Sequence, residues 1–310
     1  MTIDIAAVFQ QLIILFLVMA VGYIGNKAGV LTPELTRGFS RLVLTVTMPA
    51  MLLASVINVK SDKSTGEVLL LLGITLAVYA ILTVLGFLLP ILLRVKQPQV
   101  GAYRYMTVFT NAAFMGFPVI TAIFGEEALF YAMLFQLPFN MLAYTFGIWL
   151  IAGKETKLSA KQILLNPGCL AAVAALIIYL LQIPFPSAVE GTVDLLGRIT
   201  TPASMLIIGA TLGNMPIKQV FNKWRLYPFA VITNIAVPLL VYFVLRLFVT
   251  DQMMLQVAVV IAAMPVATNS TMICHKYGGD AETTSAGVFL STALSIGTIP
   301  LVVWLMQIFN

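Results

Sequence analysis

Thr107-Val108-Phe109-Thr110-Asn111-Ala112-Ala113-Phe114-Met115-Gly116-Phe117-Pro118 sits inside a charge-free run from 105 to 125. A second stretch, Ala263-Met264-Pro265-Val266-Ala267-Thr268-Asn269-Ser270-Thr271, sits inside a charge-free run from 252 to 275. An apolar helix of about 20 residues crosses a bilayer core, so both stretches fall near its centre. Each nevertheless carries a helix breaker. Pro118 lacks an N–H and clashes with the preceding turn, and Gly116 loosens that turn. Pro265 breaks the second stretch, and four polar residues follow closely, Thr268 to Thr271. Backbone groups freed at that depth are costly unless something satisfies them, so such breaks persist only inside protein or along a wet cavity. Two interrupted helices at the bilayer midplane are therefore expected.

The rest of the chain has the composition of a membrane protein. Of its 310 residues, 60% are hydrophobic and 9% charged, and mean hydropathy is +1.01. A soluble domain carries about 25% charged residues. Soluble enzymes, nucleic-acid modules and disordered regions are excluded on that ground. The net charge of +5 concerns where Lys and Arg lie, not a nucleic-acid footprint. Ten charge-free runs of at least 18 residues, here called spans 1 to 10, cover 5–26, 42–59, 68–93, 105–125, 128–153, 162–189, 199–217, 226–245, 252–275 and 283–310. They do not alternate as barrel strands would. The expected fold is all-α and polytopic, with ten transmembrane helices. Loops after odd-numbered spans hold 13 Lys and Arg, and the other side holds 4. That asymmetry places the 13-rich side in the cytoplasm and both termini outside. With no basic segment ahead of span 1, the N-terminus is not expected to be a cleaved signal peptide. Cys169 and Cys274 show no metal or redox spacing and are expected to be inert thiols.

An internal repeat divides the chain into halves at 1–157 and 158–310. Thr47-Met48-Pro49-Ala50-Met51-Leu52 in span 2 parallels Thr201-Pro202-Ala203-Ser204-Met205-Leu206 in span 7. The offset from Pro49 to Pro202 is 153 and that from Pro118 to Pro265 is 147. Five spans per half is odd, so the second half enters from the opposite side, the inverted repeat of many secondary transporters.

A site at the two breaks favours an anion. Each half-helix that starts there presents N–H groups and a positive dipole end. No Lys, Arg, Asp or Glu lies centrally in any span. A carboxylate would be held by neutral donors, Asn111, Thr268 and Asn269, with Gly116, Pro118 and Pro265 shaping the breaks. Gln136 and Asn140, one turn apart on span 5, face either the site or a neighbouring helix. Ser291 and Ser295 are explained by helix packing alone, with Ser291 kept as a candidate contact. Gly209 and Gly213 form a GxxxG that serves close packing or a dimer face. His275 and Asp280 at the end of span 9, and Asp194 and Arg198 before span 7, are the peripheral titratable groups. No catalytic signature, metal site or cofactor motif is present.

Asn111-Ala-Ala-Phe-Met-Gly-Phe-Pro118, Met264-Pro265-Val-Ala-Thr-Asn269, Tyr277-Gly-Gly-Asp280-Ala-Glu282 and Ser291-Thr-Ala-Leu-Ser295 before Pro300 resemble the auxin efflux carrier family, in its bacterial malonate-permease-like branch. The resemblance covers essentially the whole chain. It implies an inverted 5+5 repeat similar to the bile-acid–sodium symporter fold, with spans 4 and 9 crossing at Pro118 and Pro265. It implies a scaffold of spans 1, 2, 6 and 7, often dimeric, and a moving domain of spans 3–5 and 8–10. Asn111 would be the anion contact. The plant carriers' long loop between spans 5 and 6 is missing, so a bacterial mono- or dicarboxylate fits better than auxin. The expected partners are that carboxylate, the lipid of a bacterial inner membrane and a second copy of the chain, with H+ or Na+ as candidate coupling ions. The alternatives are a sodium-coupled organic-anion symporter of the bile-acid type and a receptor that binds a carboxylate without moving it.

Overall fold

A computed structural model describes residues 5–57, 65–143, 145–152, 167–215 and 222–309. Helix α1 is Ile5–Lys27. Helix α2 (Pro33–Leu42) runs through a π-helical turn (Val43–Thr47) into α3 (Met48–Ile57). Then follow α4 (Thr65–Leu92), α5 (Val100–Val108), a second π turn (Ala112–Gly116) and α6 (Phe117–Phe124). Helices α7 (Leu129–Ala143), α8 (Phe146–Ala152), α9 (Pro167–Leu181), α10 (Ser187–Arg198) and α11 (Thr200–Asn214) come next. Helix α12 (Leu226–Val231) passes through a third π turn (Ile232–Ala236) into α13 (Val237–Leu245). The chain closes with α14 (Gln252–Ala262), α15 (Ser270–Tyr277) and α16 (Ala281–Phe309).

The molecule is an all-helical, multi-pass membrane protein. Among the described residues four helical stretches are long and apolar enough to cross a bilayer outright: Gly66–Leu92, Ser187–Asn214, Leu226–Leu245 and Ala281–Phe309. Leu12–Lys27, Ala112–Phe124, Leu170–Leu181 and Gln252–Ala262 are shorter apolar helices. Leu17, Leu70, Leu92, Leu195 and Leu247 are each more than 60% exposed. In water such a surface would aggregate; against lipid tails it is matched.

Two helices were hidden by their charges. Residues 33–41 and 190–198 read as loops because Glu34, Arg37, Arg41, Glu190, Asp194 and Arg198 interrupt the apolar pattern. Thr32 caps α2 by accepting the Leu35 N–H at 3.3 Å, and Pro33 takes the first turn, where its missing N–H costs nothing. Arg198 and Asp194 pair at 2.9 Å on the exposed face of α10.

All three π turns precede a proline by two residues, at Pro49, Pro118 and Pro238. In each, the residue before the proline donates its N–H five residues back, Met48 to Val43, Phe117 to Ala112 and Val237 to Ile232. The wider turn moves aside the carbonyl that the proline ring would strike.

Helices α1 and α11 pack so closely that glycine is required on both. A Cβ on Gly209 would lie 1.9 Å from the Met19 carbonyl oxygen, and one on Gly22 would lie 2.3 Å from that of Leu206. The Gly209–Gly213 face is thus filled by α1 of the same chain, which corrects the dimer-face reading: glycine there serves intramolecular approach. Lys27 Nζ donates to the Gly213 carbonyl at 2.7 Å, and Asn26 Nδ2 to Asn214 Oδ1 at 3.0 Å, so the C-terminus of α11 finds donors and a cation.

At the start of α16, Asp280 accepts the Thr283 N–H at 2.8 Å and its hydroxyl at 2.6 Å, with Lys223 Nζ 3.9 Å away. Burial pushes the Asp280 carboxyl up, but the Thr283 bonds, the Lys223 ammonium and Gln99 outweigh it, so it ionises below the usual carboxylate range. A lowered carboxyl adds stability that is present above its unfolded pKa and lost as pH falls through the folded one. Wild type should therefore exceed Asp280→Asn in thermal midpoint at neutral pH. That advantage should begin to shrink only below about pH 4 and disappear as pH falls through the lowered folded pKa. A midpoint difference independent of pH would contradict the assignment. Cys274 is a buried free thiol. The side chains of Asn140, Cys169 and His275, and the boundary between halves at 157, lie outside the described residues.

Candidate functional site

The helix of span 4 stops at Val108. Phe109 is extended (φ −109°, ψ 95°), Asn111 is non-helical (φ −79°, ψ 59°), and helical geometry resumes at Ala112. Span 9 stops at Ala262 and resumes at Ser270. The two gaps meet. Thr110 and Val266 form an isolated antiparallel bridge, with the Asn111 N–H donating to the Pro265 carbonyl at 2.7 Å and the Ala267 N–H to the Phe109 carbonyl at 3.1 Å. Each break thus supplies hydrogen bonds the other lost, which is how irregular backbone survives away from water.

Two side chains complete the accounting. Pro265 cannot donate to the Ile261 carbonyl, four residues back. The Thr110 hydroxyl donates to that carbonyl instead, at 2.9 Å. The Val266 N–H donates to Ser291 Oγ at 3.1 Å. Ser291 thereby does more than pack helices: it ties α16 to the crossing. The Met264 N–H also reaches that carbonyl, at 3.2 Å, so Thr110→Val keeps the shape and removes the bond between the two spans without orphaning the carbonyl. The expected cost is about 0.5–1.5 kcal/mol, read as a thermal midpoint a few degrees lower. Thr211→Val, whose hydroxyl bonds only its own helix at Ile207, should change little. Equal midpoints for the two variants would contradict this role for Thr110.

The break in span 4 falls at Phe109–Asn111, not at Pro118. Pro118 occupies the first turn of α6, where the missing N–H is tolerated and the π turn absorbs the ring. The expected crossing at Pro118 and Pro265 is therefore corrected at one end: Pro265 is in the bridge, whereas the partner from span 4 is Thr110. A Cβ on Gly116 would sit 3.5 Å from the Asn111 carbonyl oxygen and from Met264 Cγ, an ordinary contact.

Asn111 and Asn269 occupy matching places. Each is the residue just ahead of a resumed helical segment, and neither side chain caps it. Asn111 is 3% exposed, and its Nδ2 meets no acceptor among the described residues. Asn269 Oδ1, Ser270 Oγ and Thr271 Oγ1 are likewise buried atoms without a partner among the described residues. Thr268 is half-buried beside them, and Gln136 is buried on α7, which packs against the Ala112–Gly116 turn. Thr110 was missed by the sequence reading. Its only signal was a hydroxyl adjacent to Asn111, and its partner carbonyl is 151 residues away.

The family model described as Membrane transport protein matches residues 7–304. An uncharacterized transporter of Methanocaldococcus jannaschii is 23% identical over 95% of this chain and 97% of its own. A Rhizobium meliloti protein named "Putative malonate transporter" is 24% identical over 76% of this chain and 75% of its own. An uncharacterized transporter of Methanothermobacter thermautotrophicus is 25% identical over 94% of this chain and 96% of its own.

Proposed function

Because the chain belongs to the membrane transport protein family, the auxin efflux carriers, we propose that it is a secondary transporter moving a small mono- or dicarboxylate, malonate-like, by alternating access. The observation that carries this reading is the paired break itself. Two interrupted helices share an antiparallel bridge, and buried polar atoms of Asn111, Asn269, Ser270 and Thr271 beside it have no partner among the described residues. A buried donor left without an acceptor is costly, and a carboxylate relieves that cost for Asn111 Nδ2 and the Ser270 and Thr271 hydroxyls, whereas Asn269 Oδ1 is an acceptor and calls for a donor on the ligand, such as a protonated carboxyl. Helical segments resuming at Ala112 and Ser270 add dipole ends of the favourable sign.

On this reading ten spans form an inverted 5+5 repeat in a bacterial inner membrane, with both termini outside. Asn111, Thr268 and Asn269 contact the carboxylate, with Gln136, Asn140 and Ser291 around them, and Gly116, Pro118 and Pro265 shape the backbone. Spans 1, 2, 6 and 7 form the scaffold, also the dimer contact, and the remaining spans move. The close α1–α11 contact is what a rigid scaffold requires. H+ and Na+ are the candidate coupling ions.

The test is uptake and counterflow of labelled malonate and monocarboxylates in proteoliposomes, with and without sodium and pH gradients. Saturable flux with counterflow is the expected result, and its gradient dependence names the ion. Binding without flux would make the protein a receptor and overturn the reading.

A further inference from the structure

Span 8 carries an amide that neither the repeat nor the breaks foreshadow. Asn234 is 1% exposed and lies in the π turn Ile232–Ala236. Pro238, four residues on, has no N–H to offer the Asn234 carbonyl, so the turn is already loosened there. The Asn234 side chain donates through Nδ2 to the Ser291 carbonyl at 2.9 Å and to Thr298 Oγ1 at 3.4 Å, while the Thr233 hydroxyl beside its Oδ1 donates to the Phe229 carbonyl at 3.0 Å. It therefore grips two turns of α16 at once.

The first of those turns is the one that matters for the crossing. Ser291 Oγ accepts the Val266 N–H, and Val266 is the residue bridged to Thr110. A continuous path of bonded, buried groups runs from Asn234 through Ser291 to Val266 and the backbone next to Asn111. A polar side chain between membrane helices is commonly plain adhesive, worth about 0.6 kcal/mol on average. Adhesive could attach anywhere along α16; this amide attaches to the residue whose hydroxyl holds the break. We infer that Asn234 is a positioning residue for the anion site: by fixing the Ser291 turn it sets where the Val266 segment lies, and with it the spacing between Asn111 and Asn269. The inference rests on the crossing being the substrate site. Such sites lose function when their groups drift by more than about 0.5 Å, so a loosened support acts on affinity.

The experiment compares wild type, Asn234→Leu, Ser291→Ala, their double variant and Asn111→Ala. Amide exchange of the 263–269 segment needs no substrate and reads the crossing directly. Malonate counterflow reads half-saturation and maximal rate per inserted molecule. Asn234→Leu should speed exchange at 263–269 and raise half-saturation about tenfold, the equivalent of one hydrogen bond's loss, with maximal rate within about twofold. The double variant should be no worse than Ser291→Ala, because Asn234 acts through that serine. If Asn234→Leu fails to insert, Asn234→Asp replaces it at equal size. Relative to wild type at the same pH, Asn234→Asp should bind well while its acid is neutral and able to donate, and lose affinity as it ionises. Unchanged exchange, a fall in maximal rate at constant half-saturation, or an additive double variant would overturn the inference. If Asn111→Ala binds malonate as wild type does, the site reading has failed instead, and exchange alone decides whether Asn234 holds the crossing.

Discussion

Asn111→Ala is expected to cut carboxylate flux by about tenfold to a hundredfold, because a hydrogen bond to a charged group contributes about 1.5–3 kcal/mol. Fold and insertion should survive. The Asn111 side-chain nitrogen meets no acceptor among the described residues, so truncation breaks no bond of that donor to them. Its backbone N–H, which alanine retains, is the group that bonds the Pro265 carbonyl. Removing an unsatisfied buried donor is neutral or stabilising. Flux per inserted molecule, together with the thermal midpoint, checks both halves. Wild-type flux in a properly inserted variant would remove Asn111 from the site, and a collapsed midpoint would show that the residue supports the fold instead.

The opposite pattern is expected at Gly209. A single methyl group there would stand 1.9 Å from the Met19 carbonyl oxygen and 2.8 Å from the Tyr23 nitrogen. Both obstacles are backbone, so neither can swing aside. Helices α1 and α11 would have to separate, and overpacking of that kind costs about 1–3 kcal/mol or more. Gly209→Ala should therefore lose most of its monodisperse, folded material in detergent, whatever ligand is added. Gly191 on α10 meets nothing within 4 Å, so Gly191→Ala is the matched control and should be neutral or slightly stabilising. Size-exclusion profiles and thermal midpoints measure both. A well-folded Gly209→Ala protein would contradict the α1–α11 geometry.

What the sequence disclosed and what it hid follow from one distinction. Pro265, Asn111 and Asn269 announced interrupted helices at bilayer depth because a backbone break among apolar residues is a local contradiction, visible in a single segment. Gly209 announced close approach, but not that its partner was Met19, 190 positions earlier. Thr110 gave no sign that its hydroxyl would replace the N–H absent from Pro265, because the need arises in one half of the chain and the remedy in the other. The break in span 4 was misplaced for the same reason. Local physics pointed to Pro118, whereas pairing with Val266 pulled Phe109 to Asn111 out of the helix and left Pro118 in an ordinary first turn. Charges in α2 and α10 concealed amphipathic helices, since reading charge-free runs treats every charged residue as loop. Ser291 was legible as a buried polar residue, but not as the acceptor for the Val266 N–H.

The central claim is that a carboxylate occupies the crossing and contacts Asn111. Thermal midpoints of purified wild type and Asn111→Ala, titrated with malonate and a panel of small mono- and dicarboxylates, test it most directly. A ligand at 100 times its Kd stabilises the folded state by about 2.7 kcal/mol, a shift of several degrees. The account predicts that at least one small carboxylate raises the wild-type midpoint in a saturable way, and that Asn111→Ala needs about tenfold to a hundredfold more of it for the same rise. The same saturable rise in both proteins, or no rise with any carboxylate in wild type, would contradict it.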